Sequence, residues 1–459
     1  LDITLFEAGD RLGGKVFTRQ FNSAPVPYEA GVAELYDYSE AGPDPLREMV
    51  REFGLTTQPM EGRAIVLGDT ILHDAEDMRR KLGDRTADAV AAFTRRACKA
   101  ISPADYYESD WKEDNRDPLT RQKLSELLAS VPDENARRYI HVSIHSDLAT
   151  EPHQTNAVYG LQNYLMNEPG YMQLYTIDGG IERLTQELIK RISARVLFRQ
   201  PVTRVEKVAG PGDRYCVTSL RMGETVSEEF DFVVAALPNN WLPAIDWRGP
   251  ALERAMQAHH VHYDYPAHYL RVTLLFQKPF WRDIVQGSYF MTDAFGGCCV
   301  YDESARGNSS YGCLGWLLAG EAALNLANFD DASLIAQVLD SLPRDLRHGR
   351  DSFIEGRVHR WVGSVNGLPA GFPAREPDSR HQPEPKEHPS LFVVGDYLFD
   401  STINGVLDSA DVVAEWILEE LIEEPAAPAT VAPSTVAPST VAPDTAGSIK
   451  EELNVAAKR

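Results

Sequence analysis

A short β-rich run, Asp2-Ile-Thr-Leu-Phe-Glu7, passes directly into Ala8-Gly9-Asp10-Arg11-Leu12-Gly13-Gly14-Lys15, and no other junction constrains the fold as much. An apolar run closed by a turn signal reads as an interior strand of an α/β sheet. Glu7, at the C-terminal end of that strand, is placed to accept hydrogen bonds from both hydroxyls of a ribose. The adjacent Gly13 and Gly14 let backbone approach a pyrophosphate, whose charge Arg11 and Lys15 offset. Gly-Gly beside a basic residue also occurs in plain surface turns, but the full spacing after a buried strand favours a dinucleotide site.

The remaining chain divides by pattern. A helix is predicted from Asp44 to about Gly54, and a polar, helix-rich stretch runs from Asp74 to Leu165, which reads as an insertion. Gly179-Gly180 introduces an amphipathic helix through Ile181, Leu184, Leu188 and Ile192. Strands are predicted at 196–198, 202–208, 215–221 and 232–237, then at 269–276, 288–291, 312–318 and 354–361, with one helix near 332–342. A strand at 390–394 and a helix from Gly405 to Glu420 close the folded part. Elements at the two ends of the chain belong to one α/β domain, and the middle supplies a second. The expected division is 1–60, 171–245 and 385–423 for the first, 61–170 and 246–384 for the second, and a disordered tail over 424–459. That tail repeats Thr-Val-Ala-Pro from Thr430, Thr435 and Thr440, a composition that cannot bury enough surface to order itself.

Charge narrows the partners. With 45 Lys and Arg against 68 Asp and Glu the formal charge is −23, the wrong sign for a nucleic-acid or anionic-membrane surface. No uninterrupted apolar run is long enough to span a bilayer. The five cysteines show no CxxC spacing, so neither a disulfide framework nor a zinc site is expected, and a reducing, cytoplasmic setting is the default. His141 and His145 stand at i, i+4 on a predicted helix, but no third ligand is spaced to join them, so solvent-facing histidines are expected and no metal.

Glu7-x-x-x-Arg11-x-Gly13-Gly14-Lys15 after such a strand resembles the second flavin signature of the flavin-containing amine oxidase family. Four further segments match in order: Tyr175-Thr-Ile-Asp-Gly-Gly180, Pro201-Val202-Thr-Arg-Val205, Asp231-Phe-Val-Val-Ala-Ala-Leu-Pro238, and Phe392-Val-Val-Gly395-Asp396 followed by Asn404-Gly405-Val406-Leu407. The resemblance implies a discontinuous, Rossmann-like FAD-binding domain joined to a substrate domain of mixed sheet with a helical insertion. It implies FAD contacts from Glu7, Arg11, Gly13, Gly14, Lys15, Val202, Asp396, Gly405, Val406 and Leu407. Independently of the family, Asp396 can take a ribityl hydroxyl or order a water on the pyrophosphate. A helix starting at Gly405 can turn its N–H groups and positive dipole end to the flavin N1 and C2 oxygen. The first strand-turn-helix with G-x-G-x-x-G is expected upstream of Leu1. The natural N-terminus, with any signal peptide, is therefore expected to be missing, and the chain as written to bind flavin poorly.

Departures from the family pattern bear on the chemistry. Related oxidases carry a lysine eight residues before a Pro-Phe-Trp; here Pro279-Phe280-Trp281 is present and the position holds Arg271. A guanidinium stays charged and forks toward carboxylates, so the exchange is not conservative. It points either to an oxyanion near the flavin or to a structural ion pair. Val406 stands where many amine oxidases place a cage tyrosine, while Trp361 can still form one wall of the substrate site or serve as core. No cysteine lies between Gly363 and Phe372, so noncovalent FAD is expected. Glu34, about where amino-acid oxidases have arginine, can pair with Arg271, take a substrate proton or equally be a surface carboxylate.

The expected activity is oxidation of a small molecule at a C–H next to nitrogen, or at another activated C–H, by hydride transfer to flavin N5, with Arg271 and Glu34 as catalytic candidates. Desaturation or isomerisation of an apolar substrate, or a degenerate scaffold, are the alternatives that the missing lysine and tyrosine leave open.

Overall fold

The opening strand, Ile3–Phe6, lies parallel to Ala194–Leu197 in the computed structural model, with Ile3 opposite Ala194 and Phe6 opposite Leu197. Its end is fixed by Glu7 N–H donating to Leu197 O at 3.0 Å and by Gln200 N–H donating to Glu7 O at 3.0 Å. A second parallel pair joins Val233–Ala236 to Leu391–Val394, where Leu391, Phe392 and Val393 are buried. Segments from both ends of the chain and its middle thus build one α/β region, as their apolar runs require. The structure describes residues 1–62, 64–108, 117–166, 168–210, 212–306, 309–373, 375–399 and 401–423. The tail expected over 424–459 lies outside the described residues. Leu1–Ile417 make one unit, and the second, Leu418–Arg459, is described to Glu423, where it is helical.

A seven-stranded mixed sheet carries the other region, in the order 353–366, 266–276, 312–319, 298–302, 289–292, 65–67 and 70–72. Its long strand Pro266–Phe276 alternates strictly. Leu270, Val272, Leu274 and Phe276 are buried in one cluster with Trp281 and Trp316, so Tyr269 and Arg271 point to the opposite face. Against that face packs a helical layer in which Asp84–Ala100, Glu134–Leu148 and Ala157–Leu165 bury Phe93, Ile140, Ile144, Leu161 and Leu165. The helix Glu134–Leu148 starts at a capping aspartate, Asp133, whose carboxylate accepts from Ala136 N–H at 2.9 Å, and stops where Ala149 turns left-handed at φ 55°.

Several elements go beyond the sequence reading, among them the short strands 65–67 and 70–72 that complete the seven-stranded sheet. The strand Glu224–Phe230 pairs with Tyr215–Arg221 although it lacks apolar alternation, because it is largely exposed. The strand Cys298–Asp302 and the helix Pro250–His262 were likewise not anticipated. The expectation of solvent-facing histidines is also corrected. His145 is buried, its Nδ1 2.8 Å from Gly297 O and its Nε2 3.1 Å from Glu151 Oε1, while His141 Nε2 lies 2.8 Å from Gly296 O. Both rings tie their helix to a hairpin turn of the sheet. Among the described residues no group of three His, Cys, Asp or Glu side chains is placed to hold a metal. Among them, too, no helix is long and apolar enough to cross a membrane, and all five cysteines are free thiols.

Candidate active site

Where the two regions meet, a cleft of about 860 Å3, its open mouth included, is bordered by residues from widely separated segments between Lys15 and Val406. Six predicted residues line it: Lys15, Glu34, Arg271, Trp361, Asp396 and Val406. Glu7, Arg11, Gly13, Gly14, Val202, Gly405 and Leu407 do not border it.

The glycine loop is built before anything binds. Gly13 at φ 107° and Gly14 at φ 51° adopt backbone that side-chain-bearing residues avoid. Arg11 splints the turn, with Nη1 donating to Leu12 O and Val16 O at 3.1 Å each and Nη2 to Gly14 O, while its guanidinium sits 3.7 Å over the Phe17 ring. Glu7 Oε1 accepts from Gly9 N–H at 2.6 Å. Val202 begins the central strand of a four-stranded sheet, opposite Ser219.

Lys15 reaches from the end of this loop into the cleft, donating to Ser364 O at 2.8 Å and to the Asp396 carboxylate. Asp396 is buried, so this ion pair joins the first and last signature segments. Gly31 lies beneath them, and a Cβ there would fall 1.9 Å from Lys15 O. The Trp361 indole donates to Ala30 O at 2.6 Å, and its six-membered ring stands 3.5 Å from the same hypothetical Cβ. Trp361 is thus a wall of the cleft.

The closing helix begins at Ile403, two residues before the expected Gly405, and runs to Glu423. Thr402 caps it, its hydroxyl accepting from Gly405 N–H at 3.0 Å, so that N–H is already satisfied. Ile403, Asn404 and Val406 present the first turn to the cleft. Leu407 is turned away, against the cluster that contains Leu35 and Ile181.

Arg271 and Glu303 meet on the floor with neither side chain exposed. Glu303 Oε2 also accepts from Glu29 N–H at 2.6 Å. Burial opposes the guanidinium charge, but the Glu303 carboxylate outweighs it and raises the Arg271 pKa. The carboxylate that receives Arg271 is therefore Glu303, a residue the sequence does not single out. Arg271 Nε and Nη1 have no protein partner, and the guanidinium lies 5.2 Å from the Tyr301 ring centroid. A donor surface fully removed from water thus faces the cleft.

A second chamber of about 550 Å3, open mouth included, adjoins the cleft, with Tyr36, Tyr269, Val365, Ser401 and Thr402 bordering both. Asp147, from the last turn of the helix Glu134–Leu148, lines this chamber; Glu34 lines the cleft. Burial, and then the Glu34 carboxylate, push the Asp147 pKa well above the usual range. Burial likewise raises Tyr36 and Tyr269. Asp147 carries no motif in the sequence and becomes visible only once its helix is seated on the sheet.

This arrangement fits an isoalloxazine-type group. Beside the cleft Arg271 keeps two donor nitrogens that are buried without partners, and a cation–carboxylate pair joins the glycine loop to the cleft.

The comparisons agree with that geometry. Residues 1–418 match the family model for flavin containing amine oxidoreductase. Among solved structures, putrescine oxidase bound to putrescine aligns with a TM-score of 0.66 at 16% identity, covering 91% of this chain and 99% of that one. Cyclohexylamine oxidase from Brevibacterium oxydans IH-35A aligns with a TM-score of 0.67 at 16% identity, covering 91% and 93%. At such identities these two carry the fold alone. No curated protein sequence matches significantly. With the first and last signature segments bordering one cleft and the family model spanning residues 1–418, the protein belongs to the flavin-containing amine oxidoreductase family and is a flavin-dependent oxidoreductase.

Proposed function

We propose that the cleft binds FAD noncovalently and oxidises a small amine at the carbon next to nitrogen. The observation that carries this reading is that Lys15, Asp396, Trp361, Arg271 and the first turn of the Ile403 helix border one cleft. In this reading residues 1–60, 171–245 and 385–423 hold the dinucleotide, with Glu7 for its ribose, Gly13 and Gly14 for its pyrophosphate, Val202 on the adenine side, and Gly405 with Leu407 supporting the last turn of contact. Residues 61–170 and 246–384 form the substrate side. No cysteine borders the cleft, which supports a noncovalent group, and free thiols suit a cytoplasmic setting.

When bound, FAD supplies a two-electron acceptor at its N5. The protein's part is orientation and charge. Trp361 bounds the substrate plane. Arg271, already neutralised by Glu303, offers its two remaining N–H directions to a neutral acceptor or a water rather than attracting a free anion. Glu34 takes a proton from the incoming ammonium, because a nitrogen that keeps its proton has no lone pair to assist loss of hydride.

The test is the visible spectrum of the protein loaded with FAD, followed without oxygen as amines, hydroxy compounds and polyenes are added. Bleaching by amines supports the proposal. Bleaching by polyenes alone would replace it with desaturation, and a flavin that no compound reduces would leave a binding scaffold.

A further inference from the structure

Each cation that borders the cleft is answered by a carboxylate. Among the described residues these cations are Lys15 and Arg271, paired with Asp396 and Glu303. Glu34 also borders the cleft, and Glu29, buried behind the floor, donates its backbone N–H to Glu303. The two cations thus stand among four carboxylates, with no excess of positive charge. That balance bears on how electrons leave the site. Dioxygen takes electrons one at a time, and its first product, superoxide, is an anion. Without uncompensated positive charge to receive that anion in a place removed from water, the step is slow. What the floor does offer is different. Arg271 Nε and Nη1 are buried without protein partners, an arrangement that is costly until an acceptor arrives. A carbonyl oxygen meets that need without bringing a charge. Tyr269, Tyr301, Leu317 and Trp361 border the same space and suit a flat, apolar ring.

We propose that the electrons leave to a quinone-class acceptor, anchored through a carbonyl oxygen on Arg271, and pass only slowly to dioxygen. This deepens the proposed function and rests on its reading that the cleft holds FAD. The quinone takes a hydride from flavin N5, so the N5–H bond breaks and two electrons move with the hydrogen. One proton from water completes the change. The two quinone carbonyls become the hydroxyls of a hydroquinone, and the flavin is left oxidised. The acceptor is neutral when it enters and neutral when it leaves, so a charge-compensated floor suffices. Arg271 touches the acceptor. Glu303 is a positioning residue, which holds the guanidinium in place and cancels its charge.

The FAD-loaded full chain is reduced with dithionite without oxygen, so that no amine is needed. It is then mixed with dioxygen or with 2,3-dimethoxy-5-methyl-1,4-benzoquinone at equal concentration. Return of the flavin absorption gives both rates, and the quinone should be faster by about a hundredfold or more, the scale of one missing electrostatic contact where charge develops. Arg271→Met with Glu303→Gln keeps the pair neutral and removes the donors, so the quinone rate should fall about tenfold or more. The same double variant should bind acetophenone, a redox-inert aromatic ketone, about tenfold more weakly, read from its perturbation of the flavin spectrum. Glu303→Gln alone leaves the guanidinium charge uncompensated. The oxygen rate should then rise, and the flavin midpoint potential should climb by about 30 mV or more, a tenfold shift toward the reduced form. If Glu303→Gln does not fold, the double variant and the wild-type rate ratio decide. Dioxygen as fast as the quinone on the wild type, an undiminished quinone rate or ketone affinity in the double variant, or an unmoved potential in a folded Glu303→Gln overturns the proposal. A chain that holds no FAD overturns it together with the proposed function. Fast oxidation by quinone with no amine that bleaches the flavin leaves the acceptor standing while amine oxidation falls. Bleaching by amines with dioxygen as the faster oxidant does the reverse.

Discussion

Arg271, on the strand 266–276, and Glu303, just past the strand 298–302, form a fully buried ion pair across the intervening strand 312–319, and Glu303 in turn accepts from the backbone of Glu29. Breaking such a pair from one side leaves a charge without a counterion in a site that water does not reach. Glu303→Gln should therefore destabilise the fold by about 3–5 kcal/mol, measured by urea denaturation. The double substitution Arg271→Met with Glu303→Gln should cost clearly less than Glu303→Gln alone. Equal or greater loss in the double variant would mean that Arg271 packs rather than pairs.

Lys15 and Asp396 couple the glycine loop to the last strand, and neither can be replaced without exposing the other. Lys15→Met removes a charge-assisted contact, and retention of FAD in equilibrium dialysis should weaken by about tenfold or more. Thermal stability in the absence of flavin should fall less than that of Glu303→Gln, since Lys15 is partly exposed.

Gly31 gives a steric test of the cradle. A Cβ at this position would lie 1.9 Å from Lys15 O, and backbone cannot yield as a flexible side chain does. Gly31→Ala should cost about 1–3 kcal/mol in folding and displace the Trp361 wall, visible as a shift in tryptophan fluorescence. Unchanged stability with unchanged fluorescence would show that the loop relaxes freely.

Much of this site could be read before the fold. Counting back from Pro279-Phe280-Trp281 finds Arg271, and strict alternation along its strand sets which face it takes. Lys15, Asp396 and Trp361 also border the cleft. What could not be read was pairing across long separations. Glu303 meets Arg271 because strands 266–276, 312–319 and 298–302 are neighbours, and Asp147 reaches the chamber because its helix lies on that sheet. The helix start moved from Gly405 to Ile403 because Thr402, a capping residue, fixes the boundary where apolar periodicity is silent. The histidines were misread for the same reason as Glu303: a polar i, i+4 pair looks solvent-facing until its acceptors, the carbonyls of Gly296 and Gly297, arrive from a distant hairpin.

That histidine latch makes the last prediction, on pH. Both nitrogens of His145 face acceptors, Gly297 O and Glu151 Oε1, so the doubly protonated ring satisfies both at once. Burial works against the charge, yet Glu151 and the carbonyl outweigh it and the His145 pKa rises above 6.5. Burial would raise Glu151, but His145 outweighs it and holds it at about 2. A raised histidine stabilises the fold below its unfolded pKa and loses that contribution as pH rises through the folded value. A depressed carboxylate stabilises above its unfolded pKa and loses that contribution as pH falls toward about 2. The latch is thus strongest between the unperturbed values of 4.5 and 6.5. The stability difference between wild type and Glu151→Gln, measured by urea denaturation across pH, should peak in that window and shrink on both sides. A difference that stays level above pH 6.5 would mean that Glu151 acts through the backbone of Glu321, whose N–H it also accepts at 3.0 Å, and not through the imidazolium.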